Sequence, residues 1–231
     1  MKLLHTLILV FCCGLLPAQS FNLNQFSSEL GFLSQFTKTD VSSNCASGKY
    51  SMGLGAMINL NYYLYNDQAI STGVRYRRYN PIFEGETVMG TQYFHSHIIN
   101  AISIPLSYKV EKNLSSRVIG FVSLGTEMTI PIHIVEFPAN IDNNLTTYEL
   151  PKFNLGLIVD VGVKYPIGRS HLILSTTLNL SFKKHQIANY SYDYDNNNCS
   201  TDVLYNYSYA SINLLYSFNI ANTVERIGNV L

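Results

Sequence analysis

Eight charged residues stand out by where they fall: Glu29, Arg75, Arg77, Lys109, Arg117, Glu127, Asp160 and Lys164. Each lies on the polar side of a segment that alternates apolar and polar residues. Acids and bases held together away from water can pair, the usual condition for burying charge. Other candidates for chemistry are sparser. His95 and His97 are two apart and share a strand face, a spacing that supports a metal only if a third ligand joins. No Cys or carboxylate sits at ligand spacing beside them, so polar rim histidines are the commoner reading. The run from Asp193 to Asn198 looks like the start of a calcium loop. It lacks the glycine, because Asn198 stands there, and the closing glutamate, because Leu204 does. Tyr190, Tyr192, Tyr194, Tyr205, Tyr207 and Tyr209 cluster as a surface girdle or an aromatic binding surface, the girdle favoured for the strand positions. His133 and His185 belong to no convincing catalytic set, and no nucleophile, phosphate-loop or zinc-protease motif occurs. The expectation is no catalytic residue, no cofactor and no metal.

The elements that position these residues have period two. Leu54, Ala56, Ile58, Leu60, Tyr62 and Leu64 share one face, against Gly53, Gly55, Met57, Asn59, Asn61 and Tyr63. Phe153, Leu155, Leu157, Val159, Val161, Val163 and Tyr165 oppose Asn154, Gly156, Asp160, Gly162 and Lys164. Such alternation means strands with one apolar and one polar face. Eight segments follow it, at about 26–36, 50–65, 69–79, 92–110, 117–130, 152–165, 171–183 and 205–220. Most reach the roughly 9–11 residues that a tilted strand needs to cross a membrane.

The connections alternate in length. Those at 66–68, 111–116 and 166–170 are short; those at 37–49, 80–91, 131–151 and 184–204 are long. Membrane barrels sort their loops this way, with short periplasmic turns and long external loops. A soluble sandwich or lipocalin has no reason to. In a membrane barrel the apolar face meets lipid and the charges point inward, and closure is required because hydrocarbon cannot satisfy a free strand edge. Eight strands close a barrel just wide enough for side chains to fill. The predicted fold is therefore all-β, an eight-stranded antiparallel up-and-down transmembrane barrel.

Composition agrees. Of 231 residues, 15 are Lys or Arg and 15 are Asp or Glu, a balance unsuited to binding nucleic acid. Charged residues make up 13% of the chain, about half the roughly 25% of an ordinary soluble domain. The 17 Tyr and 12 Phe exclude a disordered chain, which has few aromatics. The start, Met1-Lys2, an apolar run over 3–16, then Pro17-Ala18-Gln19-Ser20, reads as a secretory signal cleaved after Ser20. The expected organisation is a signal over 1–20, a barrel over 21–220 and a short periplasmic tail over 221–231.

Three stretches resemble a known family. They are 103–109 (Ser-Ile-Pro-Leu-Ser-Tyr-Lys), 118–125 (Val-Ile-Gly-Phe-Val-Ser-Leu-Gly) and 153–165, from Phe153 to Tyr165. Their order and spacing are similar to strands four to six of the Bacteroidota outer-membrane β-barrel proteins, the PorT-like group, related in architecture to the OmpX and OmpA barrels. The resemblance implies a bacterial outer-membrane location and the same fold; functions in the family are mixed. Barrels of this kind usually end on an aromatic residue that the assembly machinery reads. Here the last strand ends near Phe218, and 219–231 follow.

Removal of the signal leaves Cys45 in the first long loop and Cys199 in the last. In a closed eight-stranded barrel these loops adjoin, so a Cys45–Cys199 disulfide is expected, closing a long segment. The sequence thus predicts a non-enzymatic barrel with a structural, adhesive or surface-interaction role. The alternatives are a small pore or ligand-binding transport barrel and, further off, a soluble periplasmic lipocalin-like binder. Expected partners are outer-membrane lipid, the barrel assembly machinery and an extracellular or envelope protein.

Overall fold

The computed structural model describes residues 25–42, 46–86, 92–137, 144–145, 153–194 and 197–220. The signal segment, Cys45 and the 221–231 tail lie outside them. The described residues form thirteen strands: β1 (Phe26–Lys38), β2 (Asp40–Ser42), β3 (Ala46–Tyr65), β4 (Gln68–Tyr79), β5 (Ile82–Glu86), β6 (Gln92–Ser115), β7 (Val118–Phe137), β8 (Asn144–Leu145), β9 (Asn154–Ile167), β10 (Ser170–Ser181), β11 (Lys184–Tyr194), β12 (Asn197–Asn206) and β13 (Tyr209–Asn219).

Eight of them form the barrel wall, in the order β1-β13-β10-β9-β7-β6-β4-β3, and antiparallel pairing of β3 with β1 closes it. The register fixes the shape. Start at Phe26 and step between paired residues through Tyr62, Ile70, Tyr108, Leu124, Val159, Leu178 and Ala210. The path returns to β1 at Phe36, ten residues beyond its start. Eight strands sheared by ten residues tilt by about 40°, which leaves a narrow interior that side chains fill.

The inside and the outside are inverted relative to a soluble barrel. Phe32 is 74% exposed, and Leu30, Leu54, Ile58, Val122, Leu124, Leu174, Leu178 and Leu214 also face outward. Arg77 is 0% exposed, and Glu29, Asn61, Glu127 and Asn213 are buried with it. Inward glycines make room for large neighbours. A Cβ on Gly162 would lie 2.7 Å from Phe121 Cε1 and 2.5 Å from Ser175 Cβ.

The described parts of the regions expected as long loops are largely β-structured. β5 continues the line of β4 past Asn80-Pro81 and pairs with both β3 and β6. β2, β12, β11 and β8 form a separate four-stranded sheet, in which β2 continues β1, β11 continues β10 and β12 leads into β13. Beyond the lipid no face must be apolar, so backbone pairing persists while the period-two pattern that announces it fades.

Candidate functional site

The lumen gathers the charged residues into two networks, one towards the loop end and one towards the turn end. Towards the loop end, Glu127 of β7 is the hub. Arg75 Nη1 donates to its Oε2 at 3.1 Å, and Arg77 Nη2 donates to the same oxygen at 2.5 Å. Asn179 Nδ2 donates to Oε1 at 3.1 Å, and the Tyr209 hydroxyl lies 3.2 Å from each carboxylate oxygen. That hydroxyl also accepts from Arg77 Nη2. The Arg77 guanidinium stacks on the Tyr209 ring, 3.9 Å from its centroid, and Arg77 Nη1 donates to the Tyr79 hydroxyl at 3.2 Å. Arg75 and Arg77 share a face because they are two apart on β4. Glu127 reaches them from two strands away.

Towards the turn end, lysines replace arginines. Lys109 Nζ donates to Glu29 Oε1 at 2.7 Å and to Asn61 Oδ1 at 3.1 Å. Asn59 Nδ2 donates to Glu29 Oε2 at 3.2 Å. Lys164 Nζ lies 2.5 Å from Glu111 Oε1 and 3.6 Å from Glu29 Oε1, and donates to the Tyr63 hydroxyl at 3.1 Å. Tyr63 in turn donates to Glu111 at 3.0 Å. The apolar side chains of Leu33, Met57, Phe121, Ile173 and Leu215 pack together in the interior, and Lys109 Nζ sits 4.9 Å from the Phe121 ring centroid. Asp160, half-buried, accepts from Thr177 Oγ1 at 3.2 Å. Thr177 and Ser175 accept from Asn213 Nδ2 at 2.7 and 3.0 Å.

Seven of the eight charged residues singled out in the sequence therefore face the lumen. Arg117 does not. It is exposed in the two-residue turn between β6 and β7, where its backbone N–H donates to Ser115 Oγ at 3.2 Å. Its parity matches Glu127, but the strand's ladder starts only at Val118, so the pleat that would aim it inward is missing. Glu111 takes a lumen place that the sequence reading missed by ending the strand at Val110. Its two-residue spacing from Lys109 was the available signal. Among the described residues the lumen then holds four cations, Arg75, Arg77, Lys109 and Lys164, and four carboxylates, of which Glu29, Glu111 and Glu127 pair with the cations and Asp160 accepts from Thr177.

The tyrosine girdle is built from other residues than expected. Tyr207 and Tyr209 are buried inside, Tyr207 packing edge-on against Tyr79 with centroids 5.9 Å apart. Strand parity puts both on the inward face with Ser211 and Asn213. Among the described residues the exposed tyrosines are Tyr50 and Tyr76 near the loop end, and Tyr65, Tyr108, Tyr165 and Tyr216 near the turn end. The side chains of Tyr190, Tyr192, Tyr194, Tyr205, His95, His185 and Cys199 lie outside the described set. His97 is fully buried. Among the described residues no group of three or more His, Cys, Asp or Glu side chains is arranged to hold a metal.

A closed wall, an apolar exterior and a paired ionic interior cannot be solvated the other way round, because water would meet the aliphatic side chains and lose the charges. The chain is a small outer-membrane-type β-barrel. No family model and no curated protein matches the sequence. Among solved structures, it is similar to the outer-membrane protein OprG of Pseudomonas aeruginosa at 12% identity, covering 84% of this chain and 95% of that one, with a TM-score of 0.48. It is also similar to Neisserial surface protein A, at 15% identity over 85% of this chain and 97% of that one, with a TM-score of 0.44. Likewise it is similar to Ail, the attachment invasion locus protein of Yersinia pestis, at 10% identity over 84% and 97%, with a TM-score of 0.36.

Proposed function

We propose that this barrel is a non-conducting, non-enzymatic outer-membrane protein that acts through its exterior β-structure, in a structural, adhesive or surface-interaction role. The observation that carries this reading is the lumen. Two ion networks and an apolar cluster fill a narrow interior, and among the described residues four carboxylates balance the four lumen cations, which leaves no surplus charge there to draw an ion through. Beyond the lipid, backbone pairing continues where β5 joins β3 and β6 and in the separate sheet of β2, β12, β11 and β8, which presents a paired backbone surface to a partner. Lipid, the assembly machinery that inserts barrels, and an extracellular or envelope protein are the proposed partners. The finer kinship, with PorT-like barrels of the Bacteroidota, rests on the three stretches quoted from the sequence.

Planar-bilayer recording of the refolded mature chain tests the lumen half of the reading. The expected trace is a flat baseline, with no stable unitary steps at either polarity. Steady steps, with selectivity for a small solute in liposome-swelling assays, would replace this reading with transport through the lumen.

A further inference from the structure

Three described charges on the barrel wall point outward, and all three are cations: Lys38 on β1, Arg78 on β4 and Lys112 on β6. The described acids of the wall, Glu29, Glu111, Glu127 and Asp160, face the lumen instead. Lys112 lies twelve residues along β6 from Asn100, the partner of Arg78. At a tilt of about 40° this sets Arg78 roughly 27 Å above Lys112 along the barrel axis. That separation matches the apolar band of such barrels, about 25 Å tall, so the outward cations mark its two borders.

The loop-end border carries two of them, one on each side of β3. Lys38 pairs with Tyr50, and Arg78 pairs with Leu54. Their Cα atoms are two inter-strand spacings across and four residues along, roughly 16 Å apart. The strand tilt brings them to within roughly 4 Å of the same height. Directly below them stand the outward Phe36 and Tyr76, and Tyr50 lies between them, 76% exposed. Lys38 Nζ is drawn over the Tyr50 ring, 5.6 Å from its centroid, so the two cations do not converge on one point. Neither makes an ion pair among the described residues.

We infer that Lys38 and Arg78, with Tyr50 between them, form a two-point site for a lipid headgroup bearing two phosphates in the external leaflet. Each cation meets one phosphate at the height where headgroups begin. Tyr50 covers the sugar or glycerol between them, and the aliphatic wall below takes the acyl chains. Charge complementarity chooses this occupant over a second barrel, whose identical cations would be repelled.

The test uses the full mature chain in phosphatidylcholine nanodiscs, with a bis-phosphorylated glucosamine-disaccharide lipid as the probe and native mass spectrometry to count retained lipid. Wild type is expected to retain the probe in preference to phosphatidylcholine. K38Q/R78Q is expected to weaken retention about thirtyfold, from about fivefold per surface cation. K38R/R78K should keep most of it, and K112Q, at the opposite border, should retain as wild type does. The heat-induced gel shift of each variant reports that the barrel has folded. The proposal is overturned if wild type shows no preference, if K38Q/R78Q retains as wild type does, or if K112Q loses as much. Equal retention of phosphatidylglycerol at matched charge would overturn the two-point geometry.

Discussion

The two ends of the lumen solve one problem with different residues. Near the loops, one carboxylate serves two guanidiniums and a phenol. Near the turns, two lysines share two carboxylates, and Lys164 touches both. An arginine offers a planar fork that can share an oxygen and still stack, as Arg77 does on Tyr209. An ammonium is a point charge and takes partners in any direction. The loop-end network is therefore a hub that depends on Glu127, and the turn-end network is a mesh with an alternative path.

Removing the hub should have the largest effect. E127Q leaves two buried guanidiniums without a carboxylate, at a cost of about 3–5 kcal/mol. Urea unfolding followed by the gel shift measures it, and a cost near zero would show that the hub is not one. At the other end, E29Q leaves Glu111 to serve Lys164 and leaves Lys109 with Asn61 Oδ1 and the new amide oxygen as acceptors, so the same assay should report about 1–3 kcal/mol. If the two variants cost the same, the distinction between hub and mesh fails.

Exchange of the cation sharpens the comparison further. R77K loses the fork and the stack on Tyr209 and should cost about 1–2 kcal/mol, whereas Y209F removes the hydroxyl but keeps the ring and should cost about 1 kcal/mol. An R77K cost below that of Y209F would assign the stability to the hydroxyl rather than to stacking. The smallest effect is expected between the two networks. T177V removes a donor to the half-buried Asp160 and should cost about 0.5–1.5 kcal/mol, read from the unfolding midpoint.

The alternation in the chain was enough to place six charged residues in the lumen with near-complete burial, Glu29, Arg75, Arg77, Lys109, Glu127 and Lys164, and to aim the half-buried Asp160 there too, because parity along a strand is a local property. It failed where the strand stopped or changed role. Arg117 shares the parity of Glu127 but stands in a turn. Glu111 belongs to a strand that runs to Ser115. Tyr207 and Tyr209 look like girdle residues by type and are interior residues by parity. The exterior sheets gave little signal, since pairing beyond the lipid places no demand on which face is apolar.

By itself the sequence determined that the strands span a membrane and which of their faces meets lipid, because hydrocarbon excludes unpaired backbone and charge from every residue it touches. Only the tertiary structure decided which charge meets which. Glu127 and Arg75 are 52 residues apart, and Glu29 and Lys109 are 80 apart. Those meetings follow from the register, a ten-residue shear accumulated over eight separate pairings, and no single segment carries that sum.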